Sequence, residues 1–413
     1  MANQSNKERM KKLREDKIMN RRRRNVLIVM IEVVLALVLA ITCYGVNVLN
    51  SYHYEELDSD IFMDTSDTLY REKETRIMTS VVEVTDEQGE MVTNEAGEKE
   101  TEIVEIPIET ELSGYRNILF LGIDARSMDF AQTDGINCDV IMIASINNET
   151  GDIKLVSVLR DTIMKLEDGA RKSYNKATEQ FYGGVSDMVS MINRNLGLAI
   201  NEYVLVNWRG VALVINEMGG VELTIPDETM RYYVNSYLTE TNLKTELWAP
   251  QFDAPGTYTM VGTQAVAYCR IRYGGINDMG RAAHQREVIE KLVDKAKLMA
   301  KGGDIKTLTN TAKIGLSNVR TNLKLPDILW TISQLDQYKM AGQMQFPQDG
   351  SYSIGYAVGN YPAKYNAVDV IVVNDFEQEV RNLHEFLYPG QPYEPSEFIK
   401  GISYQMKVDR LGQ

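Results

Sequence analysis

NILFLGIDARSMDFAQTDGINCDVIMIASINNETGDIKLVSVLRD, Asn117 to Asp161, contains three short apolar runs separated by polar residues. The runs are Asn117 to Ile123, Asp139 to Ile146 and Ile153 to Val158. Each is rich in Ile, Leu and Val and is bounded by polar residues, so each reads as a buried strand. The turn sequence NNETGD joins the second run to the third and predicts a hairpin. Downstream, Lys176 to Asn195 has a helical pattern. EYVLVN, WRGVALVINEM and VELTIP then form a strand–helix–strand unit, with a stop at Gly219-Gly220. Residues 226–262 lack clear periodicity and read as a lid or edge insertion. Ala265 to Arg272 reads as another strand and Met279 to Lys301 as a long helix. Helices interleaved with strands as far as Pro389 indicate a layered α/β fold, and residues 391–413 read as a polar tail.

Upstream, charge and hydropathy set the topology. The first 24 residues carry ten Lys and Arg against Glu8, Glu15 and Asp16, a balance of +7, whereas the whole chain is at −14. The rest of the chain is therefore strongly acidic, which argues against a nucleic-acid partner. Val26 to Val46 is almost wholly apolar. At about 1.5 Å per residue it spans a hydrocarbon core of about 30 Å. The basic residues precede it, which predicts a cytoplasmic N-terminus, a transmembrane helix at 25–47 and an external C-terminal domain. Cleavage as a signal peptide is disfavoured, because the span is too long and Asn47 to Asn50 offers no small-residue site. Glu32 is its one charged residue, and the surrounding Leu, Ile and Val outweigh it. Residues 48–113 read as a stalk carrying an acidic β-hairpin at Val81 to Ile108. Of three cysteines, Cys43 lies in the span, leaving Cys138 and Cys269 outside and no disulfide framework.

Ionisable residues gather where the apolar runs end. Asp124 and Arg126 follow the first run, Asp139 opens the second, and Arg160 and Asp161 close the third. Arg270 and Arg272 stand two apart in the late strand, which would put both on one face. Arg281 and Gln285 lead into the long helix. Strand ends are where α/β sheets build sites. Several guanidinium forks with two or three carboxylates suit a phosphate with Mg²⁺. The plain alternative is a set of structural salt bridges. Only His53, His284 and His384 are present, none at ligand spacing, which disfavours a zinc hydrolase. No GxxxxGK[ST] loop or GxSxG elbow occurs.

The ordered blocks NILFLGIDAR, CDVIMIASINNETGDIKLVSVLRDT, NKAT, MGGVELTIPDE, GTQAVAYCRIR and DMGRAAHQREVI resemble the LytR–CpsA–Psr family of wall-polymer ligases over roughly residues 115–300. The resemblance implies an α-β-α layered domain with a central mixed sheet, placed here at residues 114–390. It also implies transfer of a glycopolymer from an undecaprenyl-pyrophosphate carrier onto peptidoglycan, outside the plasma membrane. By position, Asp124 and Asp139 match the Mg²⁺ ligands. Arg126, Arg160, Lys176, Arg270, Arg272, Arg281 and Gln285 match the pyrophosphate clamp. Catalytic roles fall to Arg160, Arg270 and Asp161, the last orienting Arg160 or the acceptor hydroxyl. The family's polyprenyl groove would be lined by residues such as those of Val211 to Ile215. Asn137 and His284 stand where arginine is common, and Leu159 where proline is frequent. A plain surface histidine is the simpler reading of His284, and buried free thiols that of Cys138 and Cys269. Two rival functions remain: hydrolysis of the lipid pyrophosphate, and binding of it without chemistry in a regulatory membrane protein. The polymer itself, whether teichoic acid, capsular polysaccharide or another, is not specified by these residues.

Overall fold

Side chains alternate between the two faces of a strand, yet the runs between Asn117 and Val158 are apolar on both faces. In the computed structural model the reason is a sheet covered on both sides. The structure describes residues 53–58, 61, 73–83, 101–111, 114–124, 137–166, 174–272, 278–324, 327, 328, 331, 334–355 and 370–411, with the backbone alone at 73–83 and 101–111. All belong to one unit, His53–Gln413. The basic stub, the apolar span, much of the stalk and Arg126 lie outside the described residues. Among those described, no helix is long and apolar enough to cross a membrane.

The chain begins with strands β1 (His53–Tyr54), β2 (Lys73–Glu83), β3 (Thr101–Glu111), β4 (Tyr115–Ile123), β5 (Cys138–Asn147) and β6 (Asp152–Val158). Two short strands follow, β7 (Ile163–Lys165) and β8 (Tyr174–Lys176), then a 3-10 turn at Ala177–Gly183 and helix α1 (Val185–Leu196). Next come β9 (Glu202–Asn207), α2 (Trp208–Glu217), β10 (Val221–Ile225), α3 (Glu228–Thr245), β11 (Gly256–Met260) and α4 (Gly262–Tyr268). The remainder is α5 (Asp278–Lys301), α6 (Ile305–Ser317), β12 (Val319–Thr321), β13 (Lys339–Phe346), β14 (Tyr352–Gly355), β15 (Val370–Val373), α7 (Phe376–Leu387) and α8 (Glu397–Leu411).

Seven strands form a mixed sheet in the order β1-β12-β9-β4-β5-β6-β13. β4 runs antiparallel to β5 and parallel to β9, and β5 is antiparallel to β6. The expected β5–β6 hairpin is present. Asn147 closes its turn, its Oδ1 accepting the N–H groups of Glu149 at 2.9 Å and Thr150 at 3.0 Å. Gly151 follows at φ +70°, where a Cβ would meet the Gln337 carbonyl at 2.3 Å, so the position requires glycine. A hairpin is present here with other bounds than Val81 to Ile108: β2, beginning at Lys73, pairs antiparallel with β3 from Lys73↔Glu111 to Glu83↔Thr101.

Leu119, Leu121 and Ile123 of β4 and Ile141 and Ile143 of β5 face a large core shared with α1, α7 and α8. Met142, Ala144 and Leu155 face the other way, where Phe120, Ile153 and Ile289 of α5 cover them. These are the three layers expected for an α-β-α domain. A separate core gathers Ile215, Leu223, Val234, Phe252, Ala265 and Tyr268 among α2, α3, α4, β10 and β11. Val211 packs at its margin and Ile215 lies inside it.

Four sequence readings are corrected. Residues 226–262 are not a lid but contain α3, capped by Asp227 Oδ1 at 2.8 Å from Met230 N, and β11 paired with β10. The helical period is masked because polar side chains occupy buried positions. Asn235 bonds the backbone of Phe252, and Asn242 that of Ala249. Ala265 to Arg272 is not a strand: Gly262–Tyr268 is a short helix buried on all sides, so its apolar run shows no helical period. Lys176 belongs to β8, not to a helix, and the helix proper begins at Val185 after Gly184 at φ +94°. Last, the polar tail is α8. Ile399, Ile402 and Met406, three and four apart, put one stripe into the large core.

Ile402 is 1% exposed. Ile402→Ala should lower unfolding free energy by about 2–5 kcal/mol, read as a shifted urea midpoint at unchanged slope. A tail outside the fold would leave the midpoint unmoved.

Candidate active site

The site begins at a flaw in the β4–β5 ladder. Gly122 pairs with Val140 but Ile123 pairs with Cys138, so Asp139 is the extra residue of a bulge. A bulge frees one residue from the ladder and re-aims its side chain, and this one sits beside the strand end that Asp124 extends. A Cβ on Gly122 would lie 2.8 Å from Val140 Cβ, so the crossing at the bulge is close.

Arg160 and Asp161 occupy the turn after β6, which neighbouring elements hold from several sides. Leu159 N donates to Phe346 O at 2.9 Å, and Ile371 N donates to Asp161 O at 2.9 Å. Ala177 N reaches Thr162 O at 2.8 Å, and Thr178 N reaches Arg160 O at 3.0 Å. The side chains then form one line of charge. Lys176 Nζ is 2.8 Å from Asp161 Oδ1, and Arg160 Nε is 3.4 Å from Asp161 Oδ2. Arg160 Nη1 pairs with Asp139, which Arg272 Nη2 approaches at 3.9 Å. Asp161 is the most enclosed of these carboxylates, its side chain 8% exposed.

A second cluster stands at the end of β4, supplied largely by α3. Lys244 Nζ pairs with Asp124 and lies 3.0 Å from Glu240 Oε1. Arg270 Nη2 donates to Glu240 Oε2 at 2.9 Å, and its Nη1 donates to Thr241 Oγ1 at 2.8 Å. Its guanidinium lies 4.4 Å from the Trp208 ring centroid, within cation–π range. Burial alone would raise the Glu240 carboxyl, but Lys244 and Arg270 outweigh it and hold the group below its ordinary range.

Arg270 and Arg272 therefore do not share a strand face. They follow a helix, and one turns to Glu240 while the other turns to Asp139. Arg281 is buried on α5, next to Ala282, which packs on Leu159 and Ile371 beside the Arg160 turn. Gln285 donates to Cys269 O at 3.4 Å and so secures the backbone ahead of Arg270. Lys244 and Glu240 escaped sequence reading because no strand end marks them. Arg286 escaped too: it is buried, donates from Nη1 to Ser157 Oγ at 2.8 Å, and burial draws its pKa down.

His284 is no surface residue. It packs on Tyr268 with ring centroids 4.2 Å apart. Burial lowers its pKa, against the pull of Glu287. Cys138 and Cys269 are unpaired thiols; burial pushes Cys138 up and Cys269 up to about 12. Both are protonated at neutral pH and are poor nucleophiles.

Among the described residues no three His, Cys, Asp or Glu side chains cluster to hold a metal. Asp124 and Asp139 nevertheless offer hard oxygens on neighbouring strand ends. Two carboxylates fit Mg²⁺, which takes its other ligands from water and substrate phosphates.

The mixed sheet covered on both faces agrees with the comparisons. The LytR_cpsA_psr family model matches residues 78–369, more than half of the chain. The chain belongs to the LytR_cpsA_psr family. It is 26% identical over 230 residues to the polyisoprenyl-teichoic acid–peptidoglycan teichoic acid transferase TagT of Bacillus subtilis, covering 55% of this chain and 66% of that protein. It is 24% identical over 255 residues to biofilm regulatory protein A of Streptococcus mutans, covering 58% and 59%. The chain thus spans under two thirds of either relative. A crystal structure of a Streptococcus agalactiae protein superposes with a TM-score of 0.53 at 20% identity, over 68% of this chain and 91% of that one. That likeness shows the fold.

His284 yields a pH prediction. A half-buried base whose pKa is lowered on folding binds its proton less readily than in the unfolded chain, so in acid the unfolded chain takes up the extra proton. The stability from keeping it neutral is full above its ordinary pKa of about 6.5 and is lost as pH falls below that value. Thermal melts should show a fall in Tm from about pH 7.5 to about pH 5 that shrinks in His284→Gln. An equal fall in both proteins would show that His284 does not contribute.

Proposed function

We propose that this chain is an Mg²⁺-dependent phosphotransferase that moves a glycopolymer from an undecaprenyl-pyrophosphate carrier onto peptidoglycan. The observation that carries the reading is the line Lys176–Asp161–Arg160–Asp139–Arg272, in which a buried and a half-buried carboxylate fix cations at adjoining strand ends. Structural salt bridges alone would not need a bulge to place one carboxylate. The names of the teichoic acid transferase relatives agree with this class of reaction.

In the proposed reaction Arg160, Lys176, Arg272 and Arg270 neutralise the pyrophosphate oxygens. Asp161 acts as a positioning residue, since its two oxygens are engaged by Lys176 and Arg160. The muramic acid C6 hydroxyl attacks the sugar-linked phosphorus; a new P–O bond forms, the P–O bond to undecaprenyl phosphate breaks, and the hydroxyl proton passes to the departing phosphate or to solvent. Mg²⁺ held by Asp124 and Asp139 would supply further neutralisation of charge on the phosphates. Such transfer needs alignment and charge stabilisation more than a covalent nucleophile. We further propose that the apolar segment at 25–47 anchors the chain in the plasma membrane, N-terminus inside, where the lipid carrier is confined.

The test uses the full-length chain in detergent with Mg²⁺, a polyprenyl-pyrophosphate glycan and peptidoglycan oligomers. Covalent glycan–peptidoglycan product supports transfer. Free phosphorylated glycan supports hydrolysis, and binding without product supports a regulatory role. Arg270→Ala and Asp139→Ala should each lower transfer by about 10²–10³-fold. Full activity in both would overturn the site.

A further inference from the structure

Lys176, Arg160, Arg272, Lys244 and Arg270 are each held by a carboxylate, but those carboxylates differ in their freedom to leave. Side-chain exposure is 8% for Asp161, 19% for Asp139, 30% for Asp124 and 51% for Glu240. Glu240 is half open to solvent on α3 and can turn into water without moving any backbone.

What it holds is more confined. The Arg270 side chain is 9% exposed. Trp208 lies under its guanidinium at 4.4 Å, Tyr237 lies at 5.7 Å, and Thr241 Oγ1 takes Nη1 at 2.8 Å. Nη2 is left for Glu240, at 2.9 Å. The other Glu240 oxygen lies 3.0 Å from Lys244 Nζ. One carboxylate therefore spans an arginine and a lysine, as two oxygens of a phosphate would. It also supplies the counter-charge that a buried guanidinium needs when no ligand is present.

Resting on the phosphate-site reading above, we propose that Glu240 is a built-in stand-in for a substrate phosphate. It occupies Arg270 and Lys244 in the empty site and is displaced into solvent when pyrophosphate binds. Lys244 thereby becomes a phosphate-binding residue that no strand end announces. The stand-in keeps Arg270 aligned between turnovers and makes the site selective, because a weak monoanion does not compete with a tethered carboxylate for both cations at once. A ligand bearing two adjacent phosphates does.

The test is isothermal titration of full-length wild type and Glu240→Gln, in detergent, with inorganic pyrophosphate. Glutamine keeps the shape and an acceptor for Arg270 but removes the competing charge. Pyrophosphate should bind the variant about tenfold more tightly, and should raise its Tm more than that of wild type. Equal or weaker binding by the variant would overturn the proposal while leaving the phosphate site intact. Failure of wild type to bind pyrophosphate at all would overturn the phosphate-site reading, and the stand-in with it. An independent readout needs no variant: carbodiimide labelling of wild-type carboxylates, read by mass spectrometry. Reactivity of Glu240 should rise on addition of pyrophosphate, and unchanged or falling reactivity would overturn its displacement.

Discussion

An arginine or lysine drawn out of water is stabilised by an anion beside it, and here Asp161 serves two cations at once. Its side chain is almost enclosed, with Lys176 on one oxygen and Arg160 on the other. Removing one partner of such a group would leave uncompensated charge in a low-dielectric setting, which destabilises far more than the pair contributes on its own. The surrounding architecture follows from that requirement. Ile371 donates its backbone N–H to Asp161 O, the Ile163↔Lys176 pairing delivers the lysine, and the 3-10 turn holds Arg160 O through Thr178 N. Four separate segments are fixed around one turn, and the apolar cluster of Leu159, Ala282 and Ile371 seals it.

This arrangement explains which parts were legible in the sequence. Strand ends were, because β4, β5 and β6 are short apolar runs with abrupt polar stops, and their terminal residues Asp124, Asp139, Arg160 and Asp161 sit where the runs end. The bulge was not. A one-residue slip leaves no mark in composition, and it reveals itself only in the pairing of Gly122 with Val140 and of Ile123 with Cys138. The α3 contribution was hidden for a different reason. Its buried stripe includes Asn235 and Asn242, which bond backbone groups of the segment after the helix, and Thr241 and Thr245, which donate to the helix's own Tyr237 and Thr241 carbonyls. Hydrophobic periodicity cannot find a helix whose inner face is made of hydrogen bonds.

The misread α4 shows the limit of the same signal. Ala265, Val266 and Ala267 are all buried, so nothing in the pattern separates a short enclosed helix from a strand. The error propagated, because side chains two apart share a face in a strand and diverge in a turn after a helix. In the structure Arg270 reaches Glu240 and Arg272 approaches Asp139, so the two guanidinium groups meet different carboxylates.

Gly262 sets how closely α4 meets α2. A Cβ there would lie 1.9 Å from the carbonyl oxygen of Ala212, so the first residue of α4 touches the backbone at the middle of α2. Asn216 of α2 adds a hydrogen bond, its Oδ1 accepting Gly262 N at 2.7 Å. Since α2 also carries Trp208, this contact sets the distance between the indole and the Arg270 that follows α4. The guanidinium is then placed by rigid helices rather than by a flexible loop, which is what charge stabilisation demands if donors must be aligned before the reaction begins. α3 crosses the same pair and brings Glu240 and Lys244 to the open edge of Arg270. The separate small core is therefore more than a support. Its packing decides how far apart the fixed arginine and the carboxylate that covers it can be.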